Sequence, residues 1–567
     1  MKTHSFIKIA LLAFLLLGTS AGTLLARNPL EDVLPPDIMP IVVLSGSDYE
    51  MGYQYGQQAG HLIERRKDAY WASSLQTLSR EEVEHQLRAI QYYAKRFTPE
   101  VIAQMRGLAA GATAAGLDVS YADVLLLNCW LPGTLGEPAP NPETHPFPAE
   151  AEGEVIPTKG CSVASAWRST TKTGRLIGMD TWDDEGDAVY QLIIVAFPDE
   201  GNNYISGAHA GDIGNHFLMN NRGLFVGNSG GGDSVRAKDR DFGLSWSLSL
   251  PHLVRYANTA GQARDMLLPW HIDCPENFHF ADVHGSAFVV EKTPTIQGVR
   301  KPGDFGEKDF LFSTNNYLIK EMSVTKQGDF VGKHGGYGAG STAIPRNMQL
   351  WDMLHNYHGH VDAEFMKMIL RFPGDGPPYP PAGGWETKVL RPTNSRVAVV
   401  MPDDGDEGMV YVCTGPAGRV IPATKRPPAY PFINGTHTFF RLTLAASPEK
   451  VVAEAKAATA NDIASAYAAF MRMNHTDVGY APLKDLYDLA NKEYYQGNNF
   501  YNQGVLSSGH DANFNLARAA TAYTRAQAHA QQLYEALNPP PTSPSDLGLR
   551  PFGGDWATWE TKVGRKR

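Results

Sequence analysis

The run IPTKGCSVASAW, residues 156–167, sets a Gly-Cys pair between a proline-rich stretch and an alternating apolar pattern. A thiol at such a junction has two readings. In one, Cys161 is a half-buried packing residue at the start of a strand. In the other, the chain is cut between Gly160 and Cys161, and the cysteine becomes a new N-terminus. Several companions favour the cut. The preceding run LPGTLGEPAPNPETHPFPAEAEGEVIPT, residues 131–158, is proline-rich and acidic with no apolar period, so it reads as an exposed linker where cleavage is sterically open. Gly160 permits backbone conformations that carry the Cys161 side chain onto its own preceding carbonyl. The next hairpin ends in GMDTWDD, which places Asp180 and Asp183 one strand away, and later segments deliver Asn228, Asn315 and Arg346.

Each companion also has a plain structural reading. Asn228 fits a turn, Asn315 or Asn316 a strand-end cap, Arg346 a surface helix position, and Asp180 and Asp183 charges at a hairpin edge. Three other motifs carry less. GNSGGG, residues 227–232, matches a Gly-x-Ser-x-Gly elbow around Ser229, but it ends a hairpin and no helical period follows. HNYHGH, residues 355–360, has metal-like spacing but falls between two helices, where Asp362 serves better as an N-cap. GGYGAGST, residues 335–342, lacks the lysine of a phosphate loop.

Composition narrows the classes. The chain has 567 residues, 43% hydrophobic and 19% charged, with a formal net charge of −10. Those values describe a soluble globular protein. No lysine or arginine stripe appears before the terminal KVGRKR, which argues against a nucleic-acid partner. The start MKTHSFIKIALLAFLLLGTSAGTLLA has a basic end, a short apolar run and small residues. It reads as a secretory signal, residues 1–26, cut after Ala21 or Ala26, and no later run is apolar enough to span a bilayer. The expected location is outside the cytoplasm: periplasmic or extracellular, or lysosomal in a eukaryote. There the Asn434 and Asn474 sequons would take sugar. Four cysteines, at 129, 161, 274 and 413, make no disulfide framework; with one working thiol, at most one bridge forms.

Periodicity divides the rest. Residues 27–160 give a strand, then helices, then the linker. From 161 to 440 hairpins dominate: CSVASAWRS with RLIGMDTW, HFLMNNRGLFVGNS, FHFADVHGSAFVVEK, and SRVAVVMPDDGDEGMVYVCTG. AVYQLIIVAFP reads as a strand buried on both faces. Helices stand in blocks between them, which is layered α+β rather than alternating βαβ. Residues 441–538 form an Ala-rich helical extension, opened by Ser447-Pro448 as cap and first turn, and 539–567 form a tail.

On these residues the chain resembles the Cys-type N-terminal-nucleophile hydrolases, within them most nearly the acyl-CoA:6-aminopenicillanate acyltransferase-like group. MGYQYGQQAG is similar to that group's N-terminal Gly-x-x-x-Gly segment, KGCSVASAW to its self-cleavage site, and MNNRGLFVGNS to its Asn-x-x-Gly-Leu strand. STNNYL is similar to its Thr-Asn-His segment and GSTAIPRNMQLWDML to its Ser…Arg helix start. Where related patterns hold Asn-x-Asp, this chain has Asp180 and Trp182; DTWDD looks more like phospholipase-B-like proteins. The resemblance implies a four-layer αββα sandwich and a nucleophile at Cys161 needing no cofactor or metal. It also implies a small-molecule acyl-amide or lipid substrate, and fragments that stay associated after the cut.

The roles then expected are these. Cys161 attacks the Gly160 carbonyl, and the freed α-amine, titrating near pH ~7.7–8, serves as local base without a histidine. Asn228 and Asn315 stabilise the oxyanion. Asp180 or Asp183 holds the new ammonium, and Arg346 braces that carboxylate. The alternatives are a phospholipase-B-like acyl-ester hydrolase with the same nucleophile, and a non-catalytic exported binding protein in which Cys161 only packs.

Overall fold

Hairpins build both sheets of the molecule. The computed structural model describes residues 39–75, 78–129, 160–183, 190–231, 243–319, 322, 343–372, 389–391, 394–405, 407–418, 437–477 and 479–550. The leader, the 131–158 linker, GGYGAGST and residues 551–567 lie outside the described residues.

The first sheet has eight strands in the order β1-β4-β5-β6-β7-β8-β9-β10. They are β1 (Ile41–Gly46), β4 (Gln191–Pro198), β5 (Tyr204–His209), β6 (Leu218–Asn220), β7 (Leu224–Gly230), β8 (Glu276–Asp282), β9 (Ala287–Lys292) and β10 (Gln297–Arg300). The second has six, in the order β11-β2-β3-β12-β13-β14. They are β11 (Phe310–Ser313), β2 (Gly160–Arg168), β3 (Gly174–Asp183), β12 (Asn394–Met401), β13 (Gly408–Thr414) and β14 (Phe440–Leu444). The β1–β4 pair is parallel and the other strand pairs are antiparallel; short turns join hairpins such as β2–β3, β6–β7 and β8–β9. The continuous apolar run of β4 is buried throughout.

The sheets lie face to face over a core that includes Val163, Phe225, Val289, Val400 and Val412. Helices cover the outer face of the eight-stranded sheet: α1 (Asp48–Ser74), α2 (Arg80–Phe97), α3 (Pro99–Ala114), α4 (Tyr121–Leu127), α5 (Trp246–Tyr256) and α6 (Ala260–Leu267). Two helices cover the other sheet, α7 (Ala343–Asn356) and α8 (Ala363–Arg371), the latter capped by Asp362, which accepts the Phe365 amide at 2.9 Å. The GYQYG pattern has a packing cause. A Cβ on Gly52 would lie 1.9 Å from the Gln104 carbonyl oxygen, and one on Gly107 2.0 Å from that of Tyr49, so α1 and α3 run backbone to backbone.

The Ala-rich block forms α9 (Pro448–Phe470), α10 (Tyr480–Leu506) and α11 (Gly509–Leu537). It is more than an appendage. Leu516, Ala520 and Tyr523 of α11 enter the inter-sheet core. Thr521 Oγ1 accepts the Ile41 amide of edge strand β1 at 2.9 Å, and Gln527 Oε1 accepts the Arg441 amide of edge strand β14 at 2.9 Å. One helix thus occupies polar groups on an edge of each sheet, edges that would otherwise invite another chain. Among the described residues, no helix is long and apolar enough to cross a membrane.

Candidate active site around Cys161

Register puts the thiol and one carboxylate on the same face. In the β2–β3 pair Cys161 stands opposite Trp182, Val163 opposite Asp180, and Gly160 opposite Asp183. Opposed residues share a face and neighbours alternate. Val163 lies in the inter-sheet core, so Cys161, Trp182 and Asp180 project into that layer where β2 begins.

The peptide unit of Cys161 is held on both sides. Its amide donates to Asn315 Oδ1 at 2.7 Å. Its carbonyl accepts from Arg346 Nη1, which also donates to Ser162 Oγ at 3.0 Å, while Nη2 donates to Asn315 Oδ1 at 2.7 Å. Asn315 donates through Nδ2 to the Gly230 carbonyl at 3.0 Å. The segment carrying Asn315 is pinned from several elements. Asn277 donates to the Thr314 carbonyl at 2.8 Å, Thr314 to that of Ala343 at 2.9 Å, and Glu291 Oε2 accepts the amides of Leu318 and Ile319 at 2.9 and 3.1 Å. Arg346 was expected to brace a carboxylate. Its charge does act on Asp183, but these hydrogen bonds grip the Cys161 main chain and Asn315.

The two candidate aspartates differ. Asp183 accepts from Arg391 Nη1 at 2.8 Å and from Asn394 Nδ2. This pair sits where a side chain on residue 160 would be: a Cβ there would lie 1.7 Å from Arg391 Nη1 and 2.6 Å from Asp183 Oδ2. Gly160 does not belong to the residues with positive φ, so space, not backbone freedom, is what calls for glycine. Asp180 faces the layer instead. Its Oδ1 meets His216 Nδ1 at 3.1 Å, and the amides of Phe217 and Asn228 also act on it. Burial pushes its carboxyl well above the usual range; Arg396 and those amides oppose the shift. Burial likewise pushes the Cys161 thiol up, and the charges of Asp183 and Asp180 add to it, so the thiol is held protonated.

Asn228 is placed otherwise than expected. Gly227 faces Val163 and Asp180, so Asn228 alternates to the far face of β7, where Nδ2 donates to Glu276 Oε2 at 3.0 Å. Its main-chain amide, not its side chain, is on the Asp180 side. Ser229 lies within β7, not on a strand-to-helix elbow, and its hydroxyl donates to the Thr314 carbonyl at 2.9 Å. All four cysteines are buried, and no disulfide joins any two of them among the described residues.

Residues missed from the sequence complete the cluster. The Trp182 ring lies 3.8 Å from His216, 5.1 Å from His209 and 5.6 Å from Trp246, centroid to centroid. His209 Nδ1 meets Asp212 at 3.1 Å, and Asp212 pairs with Arg66 at 2.6 Å. Both histidines come from HAGDIGNH, residues 209–216, whose histidines and glycines flank a lone aspartate. That density of polar and turn residues between two strands was the available signal.

No family model matches the chain. An uncharacterized protein of Archaeoglobus fulgidus is 27% identical over 289 residues, covering 47% of each chain, so this chain spans about half the length of that relative. Among solved structures, a variant of conjugated bile acid hydrolase from Clostridium perfringens has 14% identity and a TM-score of 0.31, covering 45% of this chain and 89% of that one. Penicillin V acylase from Agrobacterium tumefaciens has 11% identity and a TM-score of 0.28, covering 45% and 83%. The Caenorhabditis elegans ortholog of N-acylethanolamine-hydrolyzing acid amidase has 15% identity and a TM-score of 0.29, covering 43% and 93%. At these identities and scores neither activity nor site carries across to this chain.

Proposed function

We propose that this chain is an exported, self-cleaving cysteine N-terminal-nucleophile hydrolase of the αββα type that removes or transfers an acyl group from a small-molecule amide. The observation that carries the reading is the grip on the Cys161 peptide unit: amide and carbonyl are held by buried Asn315 and Arg346, with buried Asp180 on the thiol's own strand face. A packing cysteine needs none of this, and burying such polar groups is costly unless each is used.

The chemistry runs in two stages. In the uncut chain the Cys161 thiol gives its proton to Asp180, and sulfur attacks the Gly160 carbonyl carbon. The proton passes to the Cys161 nitrogen as the C–N bond breaks, leaving a thioester and a free amine. Water then opens the thioester, giving the Gly160 carboxylate and the thiol. In the cut chain the α-amine accepts the thiol proton, and Asn315 Oδ1, which holds that nitrogen beforehand, keeps it in place. The thiol attacks the substrate carbonyl, and its proton passes to the leaving amine. Asn315 Nδ2 serves as an oxyanion donor; loss of one such donor costs roughly 3–4 kcal/mol. Water releases the acyl group. The fragments stay together because β1 of the first pairs along its length with β4 of the second.

Cys161→Ala and Cys161→Ser test this with a panel of N-acyl amides and acyl esters. The alanine variant should remain one chain and hydrolyse nothing; full hydrolysis by it would remove the thiol from the mechanism. Preference for esters over amides would favour the phospholipase-B-like alternative.

A further inference from the structure

Behind Asp180 stands a residue with no part in the mechanism above. We infer that His216 is a positioning residue for Asp180: its Nδ1–H, together with the Phe217 amide, fixes the carboxylate in the orientation that takes the Cys161 proton. The inference rests on the self-cleaving reading, because the proton transfer it serves is the one that opens the Gly160–Cys161 bond.

Three observations support it. His216 and Asp180 meet at 3.1 Å while both side chains are 1% exposed. Nε2 of the same ring has no hydrogen-bond partner among the described residues, so the Asp180 contact is the polar use made of a buried imidazole. An apolar side chain would fill that space at less cost. Next, Phe217 holds φ +40°, a conformation bulky residues rarely adopt, and it follows His216 directly. That strained residue is the one whose amide acts on Asp180, so the backbone distortion and the two donors converge on one carboxylate. Finally, the imidazole is wedged edge-on against Trp182 at 3.8 Å and Trp246 at 5.9 Å, which keeps the ring from swinging away.

The surroundings keep the imidazole neutral. Burial holds His216 well below its usual titration, and the charges of Arg396 and His209 push the same way. The other charged or titratable groups nearby are Cys161 on β2, Asp183 on β3, Arg396 on β12, and Asp212 after β5, paired with Arg66 of α1. When Asp180 is ionised, the neutral ring facing it carries its proton on Nδ1, which makes it a donor to that carboxylate. A donor to the charged form lowers the pH at which Asp180 becomes a base.

The precursor serves as its own substrate, so no substrate need be known. Full-length chain made by cell-free synthesis is followed on denaturing gels across pH 5 to 9, with folding of each variant checked in the Cys161→Ala background. His216→Phe keeps a ring but removes the donor; His216→Met replaces it if the phenylalanine variant does not fold. Cleavage should slow by about tenfold or more, and its pH midpoint should move upward. His216→Asn, whose amide can replace Nδ1–H, should recover most of the rate and the original midpoint. The inference is overturned if the donor-free variant cuts at the wild-type rate with an unmoved midpoint, or if folded His216→Asn is as slow as the donor-free variant. A wild-type chain that never cuts would instead overturn the self-cleaving reading, and this inference with it.

Discussion

Gly160 is small because the Arg391–Asp183 ion pair fills the place of its side chain. The consequence of enlarging it follows from burial: Arg391 would have to withdraw, leaving Asp183, 2% exposed, without its main cation. Breaking a buried pair costs about 3–5 kcal/mol. Gly160→Ala in the uncut Cys161→Ala background should therefore lose about that much stability by denaturant unfolding, and Gly160→Ala alone should cut slowly. A loss under ~0.5 kcal/mol would show that the pair can shift freely. At this level the sequence disclosed the junction and its thiol but not the reason for the glycine. Backbone freedom is a property of the residue type, whereas the obstruction comes from Arg391, 231 positions away in the chain numbering.

Strand periodicity made the hairpins readable: β2–β3, β6–β7, β8–β9 and β12–β13 fall where alternating patterns flank turn residues. What alternation withholds is which face looks at which sheet. Asn228 is the example. Its strand was readable, yet its side chain faces Glu276 because register, set by partners elsewhere, assigns it to the outer face. His216 escaped for another reason, since the loop between β5 and β6 has no period at all. The segment bearing Asn315 offers a test at the level of elements. Glu291 receives the Leu318 and Ile319 amides, and burial, opposed by Arg300 and those amides, raises its carboxyl to about 7. A carboxyl raised above its unfolded value, 4.5, contributes most below that pH, and its contribution is lost as pH climbs through 7. Glu291→Gln removes this dependence. Its stability relative to wild type should therefore rise by about 3 kcal/mol between pH 4.5 and 8, read from urea midpoints at each pH. A difference that stays constant with pH would contradict that account of the segment.

Across the molecule, the Ala-rich block looked separable because its period is purely helical, and composition carries no record of what such helices cover. The folded chain uses α11 to occupy polar groups on β1 and β14 and to enter the core between the sheets. The region before residue 160 is equally committed, through β1 on β4 and α1 against α3. A cut before Cys161 would thus divide the chain without dividing the fold, and it would give the thiol the amine its chemistry requires. Intact mass and N-terminal sequencing of purified, active protein test that directly. The account predicts a larger fragment beginning at Cys161, co-purifying with the smaller one. Active protein in which Gly160 and Cys161 are still joined would contradict it.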